Sequence, residues 1–290
     1  MQLTFVWWPS IRRYDTASRM EPKTELTDEQ WSVIEDLFPW TAPSRAGGRP
    51  LVPPRPCLEG ILWILRSGAR WKDLPKSFPS YATCWRRLQT WARSGIFQKA
   101  WQRCLRELDG LGELDWKAAL ADGMFARAKK GGDCVGKTKC GKGTKLMTMV
   151  DRDGVPLVLA VYSASPAEVR LIEPMLTHRV LARLPQRLVY DRAADSDPLR
   201  QRLKERGIEL VCPHRKGRKK PPTQDGRKLK AYKHRWPVER TNAWLQNFRR
   251  ILVRHEYYSA NYLAFAQVAC MLMTLRKLCP ANQHDCSLVA

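Results

Sequence analysis

No apolar run in this 290-residue chain is long enough to span a bilayer. The longest candidate, Leu263 to Leu275, is short and reads as a buried helix. Histidine is scarce: the five residues show neither metal-ligand spacing nor a nucleophilic arrangement. The nine cysteines include no pair at zinc-ligand spacing, and Cys134 and Cys140, in a Gly/Lys-rich stretch, have no two further ligands nearby. Reduced thiols of a cytosolic protein are therefore expected. No internal repeat is present, which excludes a solenoid. The opening Met1–Pro9 is apolar but carries no basic leader and no small-residue cleavage site, so residues 1–25 read as an irregular extension, with Met20 a second plausible start.

Acidic residues are in deficit. Lys and Arg number 51 against 28 Asp and Glu, a formal charge of +23. Between Pro213 and Glu256 stand 14 basic and 3 acidic residues, about half of the whole excess. Such a footprint suits neutralisation of a phosphate backbone; a generally basic protein or a ribosomal-RNA binder is the plainer reading. With 44% hydrophobic residues and 12 Trp, the chain can build one sizeable domain and a smaller one, which excludes a disordered basic tail.

Two halves differ in pattern. From Leu26 to Leu108 the chain reads as helical. Thr27 to Gln30 form a capping box before Trp31, Ile34, Leu37 and Phe38. A loop with Pro50, Pro53, Pro54 and Pro56 precedes a helix from Cys57 to Arg66. Ser80 caps a further helix to about Arg93, ended by Gly95. That basic helix carries Arg86, Arg87 and Arg93, and a helix, a tight turn and a basic helix resemble a helix-turn-helix. A bundle with its arginines in water explains Trp85, Leu88 and Trp91 equally well. Strands follow over Trp116–Asp122, Lys145–Val150 and Val155–Tyr162, the last two joined by a turn at Asp151–Gly154. A helix over Pro166–Val180, a strand at Arg187–Asp191, a helix to Arg206 and a strand at Ile208–Cys212 come next. Residues 213–230 read as a basic loop, Ala231–Val253 as a helix and Asn261–Leu278 as the last helix. This is a mixed α/β sheet with helices on both faces.

Three carboxylates stand out. Asp122 and Asp191 end short apolar runs, and Glu239 lies at the opening of a long helix. Two acids at strand ends and one on a helix can hold a pair of divalent cations for in-line phosphoryl displacement, and the excess positive charge points to DNA as the phosphate source. Each has a plainer reading: Asp122 as a turn residue, Asp191 in competition with Asp195 and the N-cap candidate Asp197, Glu239 in surface ion pairs.

The order of elements resembles the ribonuclease H-like fold, and local motifs narrow it. Ala121-Asp122-Gly123 through Gly132, Tyr190-Asp191 through Asp197, and Tyr232/Arg235/Glu239 continuing to Arg250 are similar to the three catalytic motifs of bacterial insertion-sequence transposases of the DDE class, in the insertion-sequence-five-like branch. The resemblance runs from Leu26 to Leu278. Tyr190 stands where the family commonly has Gly, Ala194 where it usually has Tyr, and Gln246 where a basic residue is frequent, with Arg249 and Arg250 close behind.

The resemblance implies a helical DNA-binding domain over 26–110, a catalytic domain over 111–280 and a tail at 281–290. It implies Asp122, Asp191 and Glu239 as ligands of Mg²⁺, with Mn²⁺ able to substitute, and cleavage at terminal inverted repeats followed by strand transfer. Double-stranded DNA, as element ends and target, would be the partner of a homodimer in the synaptic complex, in the bacterial cytoplasm beside the nucleoid. Arg235 and Tyr232 would contact phosphate near Glu239, and Arg215, Lys216, Arg218, Lys219 and Lys220 would grip the backbone. A nuclease without strand transfer and a non-catalytic DNA-binding descendant are the alternatives.

Overall fold

The computed structural model describes residues 24–40, 51–224 and 226–280. The N-terminal extension up to residue 23, the stretch 46–50 expected as loop and the tail at 281–290 lie outside the described residues.

Helix α1 (Asp28–Ser32) opens on the expected capping box: Thr27 Oγ1 accepts from the Gln30 N–H and Gln30 Oε1 from the Thr27 N–H. Helix α2 (Pro54–Ser67) starts at Pro54 rather than Cys57. Pro54 and Pro56 sit in its first turn, where N–H groups have no intrahelical acceptor and proline forfeits nothing. Ser80 caps α3 (Tyr81–Arg93), accepting from the Thr83 N–H, and only Ser94 and Gly95 separate it from α4 (Ile96–Gly110). The tight turn therefore follows α3, with Gly95 at φ +69°, whereas residues 68–80 form a longer connection ahead of it.

The sheet comprises β1 (Ala119–Ala128), β2 (Gly136–Thr138), β3 (Gly141–Val150), β4 (Pro156–Ser163), β5 (Arg187–Val189), β6 (Glu209–Val211) and β7 (Val253–Arg254). β3 lies antiparallel between β4 and β1, and β1, β5 and β6 run parallel; β2 pairs with the start of β3 and β7 with the end of β1. Helices α5 (Ile172–Thr177), α6 (Asp197–Glu205), α7 (Trp236–Asn247), α8 (Arg249–Leu252) and α9 (Ser259–Leu278) complete the described elements. Alternate β1 residues enter different clusters. Leu120 joins Val150, Val189, Val211 and Val238 beneath α7, while Ala119 and Ala121 face the larger core.

That larger core is continuous from Leu26 to Leu275. Helix α9 is buried on nearly every side, packing on α4, α3 and β4, so the N-terminal helices and the sheet share one apolar interior. No described helix is long and apolar enough to cross a membrane.

Four expectations change. The helix expected over Pro166–Val180 is reduced to a 3-10 turn at Glu168–Arg170 and the six-residue α5. β1 runs on to Ala128, so Asp122 is mid-strand: its pairing with β3 is unbroken from Leu120 to Arg127, straight through Gly123. The helix expected from Ala231 begins at Trp236, because Pro237 belongs to a first turn; Lys228–His234 is 3-10 helix, and Phe248 breaks the remainder. Ser196, not Asp197, caps α6.

Candidate active site

Asp122 projects from β1 on the face that carries Leu120, opposite Thr148 of β3. Asp191 follows β5, the parallel neighbour of β1, and its Oδ1 accepts from the Ala193 N–H at 2.8 Å, capping one turn of 3-10 helix. Glu239 lies in the first turn of α7, which packs across β1 and β3. Thr241 fixes this helix by donating to the Gly154 carbonyl at 2.7 Å. A side chain at Gly154 would meet Thr241 Oγ1 and Arg240 Nη2 at 2.9 Å, so glycine lets α7 approach the β3–β4 turn.

Arg235, just ahead of α7, joins two of the acids. Its Nη2 lies 3.0 Å from Glu239 Oε1 and its Nη1 3.5 Å from Asp122 Oδ1, with the guanidinium largely buried. Asn242, one turn beyond Glu239, donates to Asp122 Oδ2 at 3.2 Å. Burial pushes the Asp122 carboxyl up to about 6; Arg235 opposes the rise, and the charges of Glu168 and Asp191 reinforce it. Two buried acceptors beside it, Asn242 Oδ1 and Thr148 Oγ1, have no hydrogen-bond partner.

Sequence reasoning missed Glu168. It occupies a turn of 3-10 helix after β4, where its Oε2 accepts from Tyr190 Oη at 2.9 Å and its Oε1 lies 3.5 Å from Lys145. A Cβ on Gly123 would stand 2.9 Å from the Glu168 carboxyl carbon, so the glycine after Asp122 admits this fourth acid behind the strand. Gly123 and Tyr190, each next to an acid, were the available signals. Burial, then the Glu168 charge, drives the Tyr190 phenol far up, so the tyrosine remains a donor.

The donor set fits a hard cation: Asp122, Asp191 and Glu239 offer carboxylate oxygens, and the orphaned acceptors beside Asp122 suit metal-bound water. Among the described residues no three acid, His or Cys side chains already lie as a metal cage; the Arg235 guanidinium bonds to both Asp122 and Glu239.

The competing acids are committed elsewhere. Asp195, almost fully buried, receives Arg200 at 2.6 Å, His214 Nδ1 at 2.9 Å and the Arg215 N–H at 2.7 Å, with Arg218 at 3.5 Å. Burial would raise its pKa, but these hydrogen bonds prevail and hold it well below the usual carboxylate range. Asp197 pairs with Arg218 at 2.9 Å and Arg200 at 3.2 Å. Asp191 makes no ion pair among the described residues.

The residues expected to contact DNA divide. Arg86 and Arg93 are exposed on α3, as are Arg249 on α8 and Lys216, Lys219 and Lys220 in the basic loop. Arg87 is half-buried over the Trp91 ring. Arg215 folds back to the Ala193 carbonyl and Arg218 to Asp197. Tyr232 packs against the small cluster under α7. Arg250 is buried, bound to Glu256 at 2.7 Å and to the Gly68 and Ala69 carbonyls, so its guanidinium serves the core.

Comparison with known proteins identifies the family. Residues 26–101 match the family described as "Putative transposase of IS4/5 family", and residues 111–274 the family "Transposase DDE domain". The chain is 37% identical over 120 residues to "Insertion element IS402 uncharacterized 16.2 kDa protein" of Burkholderia cepacia, covering 40% of this chain and 82% of that one. It is 35% identical over 149 residues to "Putative transposase for insertion sequence element IS402" from the same organism, covering 49% and 67%. In fold it is similar to the piggyBac transposase in a synaptic complex with hairpin DNA, at 10% identity and a TM-score of 0.52 over 87% of this chain and 73% of that one. The ribonuclease H-like sheet, its acids and the match across 111–274 make this chain a member of the DDE-domain transposases of insertion sequences, enzymes of DNA transposition by phosphoryl transfer.

Proposed function

We propose that Asp122, Asp191 and Glu239 hold the divalent cations of the transposition reaction, Mg²⁺ with Mn²⁺ able to substitute, and that the chain cleaves double-stranded DNA at the terminal inverted repeats of its element before strand transfer. The observation that carries this reading is the Asp122 carboxyl: half-buried at mid-strand, pushed up to about 6, and sharing one guanidinium with Glu239. Bound there, the cations would supply an activated water and stabilise the entering and leaving oxygens of an in-line displacement. Without them Arg235 balances both carboxylates; with DNA in place its fork is positioned for the phosphate oxygens. Asn242 orients Asp122. Arg86 and Arg93 on α3 reach the element ends, and Lys216, Lys219 and Lys220 hold backbone phosphates. Two copies pair the ends, in the bacterial cytoplasm beside the nucleoid.

The test is Mg²⁺-dependent cleavage of a plasmid carrying the element, by the wild type and by Asp122→Asn, Asp191→Asn and Glu239→Gln. Each amide keeps the shape and removes the charge, so each is expected to lose cleavage by at least about a hundredfold, the scale for losing one preorganised charge-stabilising group, while still binding DNA. Near-normal cleavage by any one variant removes that residue from the site.

A further inference from the structure

A cleft of cationic character opens beside the acids. Its floor is Leu120 of β1 and Val189 of β5, each two residues before a proposed metal ligand, Leu120 on the same strand face as Asp122. At about 3.3 Å per strand residue, the floor reaches to within about 7 Å of Asp122 along the strand. One wall is the 3-10 segment and first turn of α7, with Lys230, His234 and Trp236; the other carries Lys117, Arg152 and Arg187. Asp115 meets Arg152 at 3.5 Å, Asp153 meets Lys277 at 3.4 Å and Glu209 meets Arg187 at 3.0 Å; with Lys117, Arg227, Lys228 and Lys230 also on the lining, cations still outnumber these three acids. Arg152 and Arg187 each leave more than half of the side chain exposed, and Lys117, Lys230 and His234 are exposed as well.

We propose that this cleft binds the phosphates of the DNA strand that continues past the reacting phosphate, with Lys117, Arg152, Arg187 and Lys230 on its backbone. The proposal rests on the transposase reading and adds to it a DNA track separate from α3 and from Lys216, Lys219 and Lys220 of the basic loop. Cations on both walls and an apolar floor that ends two strand residues short of Asp122 match a phosphodiester chain that runs on toward the acids. Bound to phosphate alone, these four side chains carry no sequence information.

The experiment uses the full chain and a random-sequence duplex, measuring affinity against salt concentration for three proteins. These are the wild type, Lys117→Ala/Arg152→Ala/Lys230→Ala, and a control that removes the same charge elsewhere, Lys76→Ala/Lys99→Ala/Lys204→Ala, at exposed lysines outside the cleft. Thermal unfolding verifies that all three are folded. The cleft variant is expected to flatten the slope of log affinity against log salt by about 0.9 for each phosphate it no longer neutralises, roughly two to three in all, with the control close to wild type. Equal slopes in cleft and control variants, beside a salt-sensitive wild type, would overturn the cleft and leave the transposase reading standing. A folded wild type without salt-sensitive DNA binding would overturn both.

Discussion

Two clusters of carboxylates lie close together in this chain with opposite electrostatics. Around Asp195, two arginines, a histidine and a backbone N–H crowd one buried acid, and its pKa is held well below the ordinary range. Around Asp122, a single arginine is shared with Glu239, two more acids stand near, and the carboxyl is pushed up to about 6. The first cluster is closed. Both oxygens of the Asp195 carboxylate are engaged, and its bonds tie the basic loop to the end of β5 and to α6, although the buried Arg200 Nε has no partner. The second is open, with too little positive charge and two orphaned acceptors. Such a deficit is retained where a cation is to be bound.

The largest effect that would break this contrast concerns the closed cluster. Asp195→Asn leaves Arg200 and Arg218 with only the partly exposed Asp197, and removing one partner of a buried ion pair costs up to about 3–5 kcal/mol. Urea unfolding is expected to show a loss of that size at neutral pH. The difference should close only in strong acid, because a depressed carboxyl contributes stability above its unfolded pKa and loses it as pH falls through the folded one. A neutral effect would place Asp195 in the open class.

Asp122→Asn should do the opposite. A carboxyl raised from an ordinary 3.8 to about 6 favours folding when protonated and loses that contribution as pH rises through 6. In metal-free protein at pH 7.5, the amide should therefore be more stable than wild type by about 1–3 kcal/mol, and the gain should vanish below about pH 4. Destabilisation at pH 7.5 would mean that Arg235 already satisfies the site.

An effect of similar size sharpens the boundary between the clusters. Tyr190→Phe removes the bond to Glu168, worth about 1.5–3 kcal/mol when the acceptor is charged. If Glu168 only buttresses the strands, Tyr190→Phe and Glu168→Gln should lower stability while Mn²⁺ affinity, followed by the manganese spectrum, falls by no more than about 10- to 100-fold, the range for losing an outer-shell partner. Abolished saturable Mn²⁺ binding in Glu168→Gln alone would make it a ligand.

Much of this is legible in the sequence, for physical reasons that differ by residue. The capping box at Thr27 and the Ser80 cap are local hydrogen-bond patterns and stand where the sequence puts them. Strands β3 to β6 stand near the apolar runs that announce them, whereas β2 (Gly-Lys-Thr) and β7 have no such run and were not expected. Asp122, Asp191 and Glu239 stand out by motif order. Glu168 does not, because its place depends on an approach across the sheet that Gly123 permits. Charge counting misjudges Arg250 and Arg254: both lie in the basic segment, yet both are buried on carbonyls and acids. Proline misleads in two directions. At Pro54 and Pro237 it begins a helix, where a loop and a helix interior were expected.

The most direct measurement is a calorimetric titration of metal-free protein with Mn²⁺, comparing wild type, Asp122→Asn and Asp197→Asn. Saturable binding in wild type and Asp197→Asn, lost in Asp122→Asn, is what an open cluster at Asp122 and a closed one at Asp195 and Asp197 predict. Undiminished binding in Asp122→Asn would contradict it and place the metal centre elsewhere in the fold.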